Sequence, residues 1–143
     1  MGFGDPSGNY WLGNDLLSWL TANTRYKLRF DLQQNGTGNW YYAEYSTFRV
    51  LSEADNYKLQ VEGFSGNTSY DAFDYHNGQK FSTIDRDNDR WPHNCAAGIG
   101  GGFWWGNCGW CAVNGARGTG HFYWHDLPGD RDLQLSRMWL ECK

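Results

Sequence analysis

Between residues 85 and 95 the chain reads Asp85-Arg86-Asp87-Asn88-Asp89-Arg90-Trp91-Pro92-His93-Asn94-Cys95. Three carboxylates alternate, and a proline and a cysteine follow at once. A hard cation such as Ca²⁺ takes about six to eight oxygen ligands, and a short bent loop can offer carboxylates and backbone carbonyls together. The spacing also begins like an EF-hand loop, but the sixth position is Arg90 rather than Gly and the twelfth is Ala96 rather than Glu. A calcium loop here is therefore of another kind. The competing reading is a solvated acidic turn.

The rest of the composition bounds what can surround that loop. In 143 residues there are nine Trp, nine Tyr, eight Phe and nineteen Gly. This is one domain's length, and it predicts a loop-rich fold with a core of large rings pinned by tight turns. The net charge is −4 with no basic run, which argues against a nucleic-acid or anionic-membrane partner. No apolar stretch has transmembrane length, and Met1 to Pro6 is too polar for a signal peptide. Cys95, Cys108, Cys111 and Cys142 fit two disulfides in an oxidising compartment, with three connectivities open. Asn35-Gly36-Thr37 and Asn67-Thr68-Ser69 are glycosylation acceptors, so Asn35 and Asn67 also point to a secreted, extracellular module.

Periodicity predicts a helix capped by Asn14, with Leu12, Leu16, Trp19 and Leu20 on one face and its end near Asn23. Strict alternation from Arg25 to Leu32 predicts a half-buried strand with Tyr26, Leu28, Phe30 and Leu32 inward. Further strands are expected over Trp40–Val50, Tyr57–Val61 and Leu133–Leu140. From Gly66 to Gly129 the chain is rich in Gly, Asn, Asp and rings, so an ordered loop region is expected. The class is α+β, with a helix packed on an antiparallel sheet.

Several ordered motifs now coincide. Tyr75-His76-Asn77-Gly78-Gln79-Lys80-Phe81-Ser82-Thr83-Ile84 runs into the acidic loop, Asn94-Cys95-Ala96 closes it, and Gly102-Phe103-Trp104-Trp105-Gly106-Asn107-Cys108 follows. Upstream stand Gly2-Phe3-Gly4, Tyr10-Trp11-Leu12-Gly13-Asn14, Arg25 to Arg29 and Ser52 to Tyr57. The chain resembles the fibrinogen-related domain of fibrinogen chains, ficolins and tachylectins, over nearly all of its length to Cys108. The resemblance implies that an N-terminal subdomain is missing, leaving an N-terminally shortened single domain, residues 1–143, whose sheet edge is expected to be exposed.

It also implies roles. Asp87 and Asp89 would give carboxylate oxygens to Ca²⁺, Trp91 and His93 backbone carbonyls, and Asp85 would orient the loop. Cys95–Cys108 matches the family disulfide, which leaves Cys111–Cys142 as an additional pair. In ficolin-like members a pocket beside the second cysteine takes acetyl groups. That pocket maps to Asn107, Cys108 and Gly109, with a cis peptide expected at Asn107–Cys108 and apolar walls from Trp104, Trp105 and Tyr123. Sugar-binding members carry His where this chain has Gly109, and of their Asn-Leu-Asn-Gly run only Asn114-Gly115 remains.

The function implied is a non-enzymatic lectin for acetylated glycans such as those of microbial cell walls, in innate-immune pattern recognition. Presentation as a homo-oligomer would add avidity. The alternative is a module for protein partners. Catalytic readings are weaker. Cys108-Gly109-Trp110-Cys111 has redox spacing but lacks the strand and helix such a motif needs. The Cys95–Cys108 spacing does not suit paired zinc knuckles. His121 and His125 lack the Glu of a zinc protease, and no nucleophile turn or carboxylate pair is evident.

Overall fold

The computed structural model describes residues 2–5, 7–23 and 25–143. Its centre is a four-stranded antiparallel sheet in the order β5-β4-β3-β8, made of β3 (Tyr26–Gln34), β4 (Trp40–Val50), β5 (Leu59–Gly66) and β8 (Leu133–Cys142). All three pairings are antiparallel, and β8, last in the chain, lies beside β3. A small hairpin, β1 (Phe3–Gly4) with β2 (Tyr10–Trp11), precedes helix α1 (Asn14–Thr21).

The alternation in β3 sorts its two faces. Leu28, Phe30 and Leu32 are fully buried. Phe30 sits between Ala43 of β4 and Met138 of β8, so a small neighbour on one side makes room for the ring. On the other face Lys27 pairs with Glu141 at 2.9 Å, and Arg29 bridges Asp31 at 2.9 Å and Glu44 at 2.7 Å. Half-buried pairs of this kind, still within reach of water, add modest stability and keep this face polar. Burial of the inner rings supplies the driving force: Phe30 meets Phe73 at 4.9 Å and Trp124 at 5.2 Å between centroids.

Helix α1 forms as expected but buries a different face. Leu17 and Thr21 point inward, whereas Leu16 is 42% exposed and Trp19 74%. The Thr21 hydroxyl decides the orientation: it donates to Leu17 O at 2.8 Å and accepts the Val50 N–H at 3.0 Å, tying the helix to the end of β4. Asn14 is not the cap either. Gly13 holds that position at φ 97°, and Asn14 instead accepts from the Trp11 indole. Thr24, next to Asn23 where the helix is expected to end, lies outside the described residues.

The loop region folds over the sheet's inner face with little regular structure of its own. Its elements are the two-residue strands β6 (Cys111–Ala112) and β7 (Tyr123–Trp124), a 3₁₀ turn over Asp74–His76 and a π-helical turn over Ala96–Gly100. Buried Gln34 reaches up from β3 and donates to the Pro128 and Asp130 carbonyls, satisfying loop groups that no ladder serves. The class is α+β.

Candidate functional site

The acidic loop starts with a tight turn in which Thr83 and Arg86 exchange backbone bonds of 2.9 and 3.2 Å. Asp87 Oδ1 then accepts the Asp89 N–H at 3.1 Å. Asp89 accepts twice, from Trp91 N–H on Oδ1 and from Cys95 N–H on Oδ2, both at 2.9 Å. One carboxylate thus ties the loop to the first cysteine. Burial raises the Asp89 carboxyl above its ordinary range; its two N–H bonds oppose that, and neighbouring Asp87 adds to the rise.

A carboxylate whose charge is disfavoured by burial and by a neighbouring carboxylate suits a divalent cation. Among the described residues no group donates a hydrogen bond to the Trp91 and His93 carbonyls. No three His, Cys, Asp or Glu side chains converge among those residues. An ion here would therefore draw on Asp87 and Asp89, carbonyls and water, a donor set that fits Ca²⁺ better than the strict octahedron of Mg²⁺. Asp85 stands apart: its Oδ1 accepts the Thr83 hydroxyl at 2.7 Å, which lowers its carboxyl, and it lines a separate cleft.

Cys95 and Cys108 form a disulfide with their Cα atoms 5.4 Å apart. The second expected pair does not form. Cys111 is buried on β6 opposite Trp124, while Cys142 is exposed at the end of β8 opposite Tyr26, so the two thiols belong to different sheets and both are free. Burial pushes the Cys111 thiol up, which makes it an inert core group. No cis peptide occurs among the described residues, so the one expected at Asn107–Cys108 is absent.

The expected apolar walls are corrected as well. Trp104 and Trp105 are 0% and 1% exposed, and their indole N–H groups donate inward to Tyr57 O at 2.8 Å and Gly101 O at 3.1 Å. Tyr123 is buried and donates to Gly109 O at 2.8 Å. Only Asn107 of the expected group is exposed, its backbone N–H and carbonyl both meeting the Tyr75 hydroxyl at 3.2 Å. Asn35 and Asn67 are both exposed, Asn35 in the β3–β4 turn and Asn67 just past β5, where its side chain accepts the Tyr42 N–H.

His76 does what the sequence left unassigned. It is fully buried, its Nδ1 lies 2.8 Å from Trp104 O, and its Nε2 is 3.3 Å from the N–H groups of both Trp110 and Cys111. Two incoming donors make Nε2 the acceptor, so the proton sits on Nδ1 and the ring is neutral. Burial lowers its pKa to about 4. The signal for this arrangement was Gly109: a Cβ there would overlap His76 Cε1 and come within 3.1 Å of the Trp105 ring. Gly109→Ala is therefore expected to cost about 2–3 kcal/mol, read as a lowered midpoint in thermal or urea unfolding, because three hydrogen bonds stop the imidazole from moving aside. A midpoint unchanged within error would show that the ring yields.

The exposed rings cluster beside these groups. Trp110 is 37% and Tyr70 41% exposed, and their centroids lie 5.1 Å apart at 29°. Tyr75 stacks on the same indole at 6.0 Å, and His125 meets it edge-on at 4.5 Å. Arg90 is exposed next to this group, its guanidinium beside Gly106.

The model of the C-terminal globular domain of fibrinogen beta and gamma chains matches residues 1–138. The chain belongs to that family. This fibrinogen-like domain is 49% identical to mouse tenascin over 107 residues, 75% of this chain and 5% of tenascin. It is 41% identical to fibrinogen-like protein A of Apostichopus parvimensis over 138 residues, 92% of this chain and 48% of that protein. It therefore spans less than half the length of these curated relatives. Among solved structures, the fibrinogen-like globe domain of human ANGPTL2 superposes with a TM-score of 0.89 at 34% identity, covering 99% of this chain and 69% of that one. Lamprey fibrin D-dimer, in complex with the peptide Gly-His-Arg-Pro-amide, superposes at 0.83 with 29% identity, covering 97% of this chain and 53% of that one.

Proposed function

We propose that this domain is a non-enzymatic extracellular recognition module whose ligand is a protein or peptide, gripped by the exposed rings around Trp110 while calcium braces the adjoining loop. The observation that carries the reading is the cluster of Tyr70, Tyr75, Trp110 and His125 on the surface next to the Cys95–Cys108 bridge. Trp and Tyr dominate binding hot spots because they bury large area at low entropic cost. The peptide in the lamprey fibrin complex supports a peptide-sized ligand for this fold. No helix among the described residues is long and apolar enough to cross a membrane.

A display screen of peptides and secreted proteins, repeated with Trp110→Ala, tests it. Loss of a hot-spot ring is expected to weaken the selected ligands about thirtyfold. Ligands that bind Trp110→Ala as tightly as the parent would refute the site.

The second reading is a lectin for acetylated glycans of the N-acetylglucosamine type. The same rings could carry a sugar's apolar face, but buried Trp104 and Trp105 supply no acetyl hollow and His76 occupies the space beside Gly109. Tighter binding of N-acetylglucosamine than of glucosamine would favour it.

For calcium, Asp87 and Asp89 would provide carboxylates and Trp91 and His93 carbonyls, the ion neutralising the pair and stiffening the link from Asp89 to Cys95. Titration calorimetry on chelated protein is expected to show calcium binding that Asp87→Ala abolishes. Absence of heat in the parent, or identical heat in the variant, would remove calcium from the reading.

A further inference from the structure

Asp85, Arg86 and Asn88 line a half-open cleft of about 250 Å³ whose walls do not include Asp87 or Asp89. Asn14 from the first turn of α1 and the Asn56–Tyr57 turn line it as well. The hydrogen-bonding groups are only partly used. Asn14 Oδ1 accepts the Trp11 indole and Asn56 Oδ1 accepts the Arg86 guanidinium, so both amide NH₂ groups are unpartnered among the described residues. Asn88 spends its NH₂ on Phe81 O and Asp85 spends Oδ1 on Thr83, which leaves one acceptor oxygen on each. The residues lining this one small space thus carry two unspent donors and two unspent acceptors, and Phe81 and Tyr57 stand among them.

The backbone of this wall is held in an unusual state. Asn56 and Tyr57 are consecutive non-glycine residues at φ 53°. For an aromatic residue a left-handed backbone is an outlier, and such outliers gather where a ligand is clamped. The Tyr57 hydroxyl donates to Asp15 and its carbonyl accepts the Trp104 indole N–H, so the turn is fixed from both ends.

Charge narrows the ligand. Arg86 is already engaged by Glu53 at 3.3 Å and by Asn56, while Asp85 and Asp15 leave the surroundings negative. An anion is disfavoured. Adjacent hydroxyls that both donate and accept, on a ring with an apolar face, match a lining that mixes such groups with two aromatic residues. The volume falls below the roughly 300–1,000 Å³ of drug-sized pockets, which suits one sugar ring rather than a chain.

We propose that this cleft is a binding site for a single neutral pyranose unit, separate from the Trp110 cluster and independent of the function assigned to it. The test is an amide NMR titration of the calcium-loaded protein with methyl β-D-glucopyranoside, methyl β-D-galactopyranoside and, as an anionic control, glucuronate. At least one neutral glycoside is expected to shift Asn14, Asn56, Tyr57, Asp85 and Asn88, and glucuronate to bind about tenfold more weakly. Asn56→Gly keeps the left-handed turn while removing the amide, so it is expected to weaken the glycoside about fivefold or more with the rest of the spectrum unchanged. No shifts with either glycoside, shifts centred on Trp110 and His125 instead, equal binding of glucuronate, or undiminished binding by Asn56→Gly would each overturn the proposal.

Discussion

Lowering the pH from above 6.5 to about 4 is expected to remove about 3 kcal/mol of folding stability through His76 alone. In the fold the imidazole is neutral, with its pKa lowered from 6.5 to about 4 by burial. In the unfolded chain it protonates near 6.5, so within that window the unfolded state binds more protons and is favoured as the pH falls. The contribution is complete above 6.5 and is lost progressively on the way to 4. Asp71 and Asp89 work in the opposite direction, since burial raises both carboxyls in the fold. Calorimetry of the parent beside His76→Gln separates the effects: the variant should be less stable at neutral pH but should lack this slope. Parallel pH profiles for the two proteins would mean that the buried ring does not control it.

Trp104→Ala is expected to destabilise the domain by about 4 kcal/mol, among the largest costs any single truncation here would bring. The indole is fully buried, packs edge-on against Phe48, Phe73 and Phe81, and donates to Tyr57 O. Its removal leaves a cavity and an unsatisfied carbonyl at the strained turn. Urea unfolding measures the loss. Trp110→Ala provides the contrast: that side chain is partly exposed, so its truncation should spare stability and weaken ligands. A Trp104 variant within about 1 kcal/mol of the parent would contradict its place in the core.

These two tryptophans also show where sequence reasoning succeeds and where it stops. Alternation in the stretch from Arg25 to Leu32 revealed the central strand because period-two burial is a local property. The motifs around the acidic loop identified the family, and with it the Cys95–Cys108 bridge, from residue types in order. Which ring faces solvent was not legible, since Trp104, Trp105 and Trp110 sit in one irregular segment without a period to sort them. The face of α1 was misjudged for a related reason. Leu16 and Trp19 carry far more apolar surface than Thr21, yet the threonine hydroxyl bonds the backbone of β4 and it is the Thr21 face that is buried. Elimination failed for Cys111 and Cys142 because pairing needs proximity, and an even count does not supply it. His76 escaped notice because its partners lie 28 to 35 residues away in sequence.

The pairing of β3 with β8 joins Tyr26 to Cys142, with β4, β5 and the whole loop region between them in sequence. The inner strand β3 therefore keeps one open edge until β8 has been made and the ring-rich loop region between them has collapsed onto the inner face. Long-range closure of this kind makes folding slow, because the entropy of the intervening loop is lost before its contacts form. It also leaves alternating apolar residues unpaired during synthesis, a window in which a neighbouring chain can take the place of β8. The Lys27, Arg29 and Asp31 side chains keep the outer face of β3 charged, which is the property expected of residues that discourage such pairing before β8 docks.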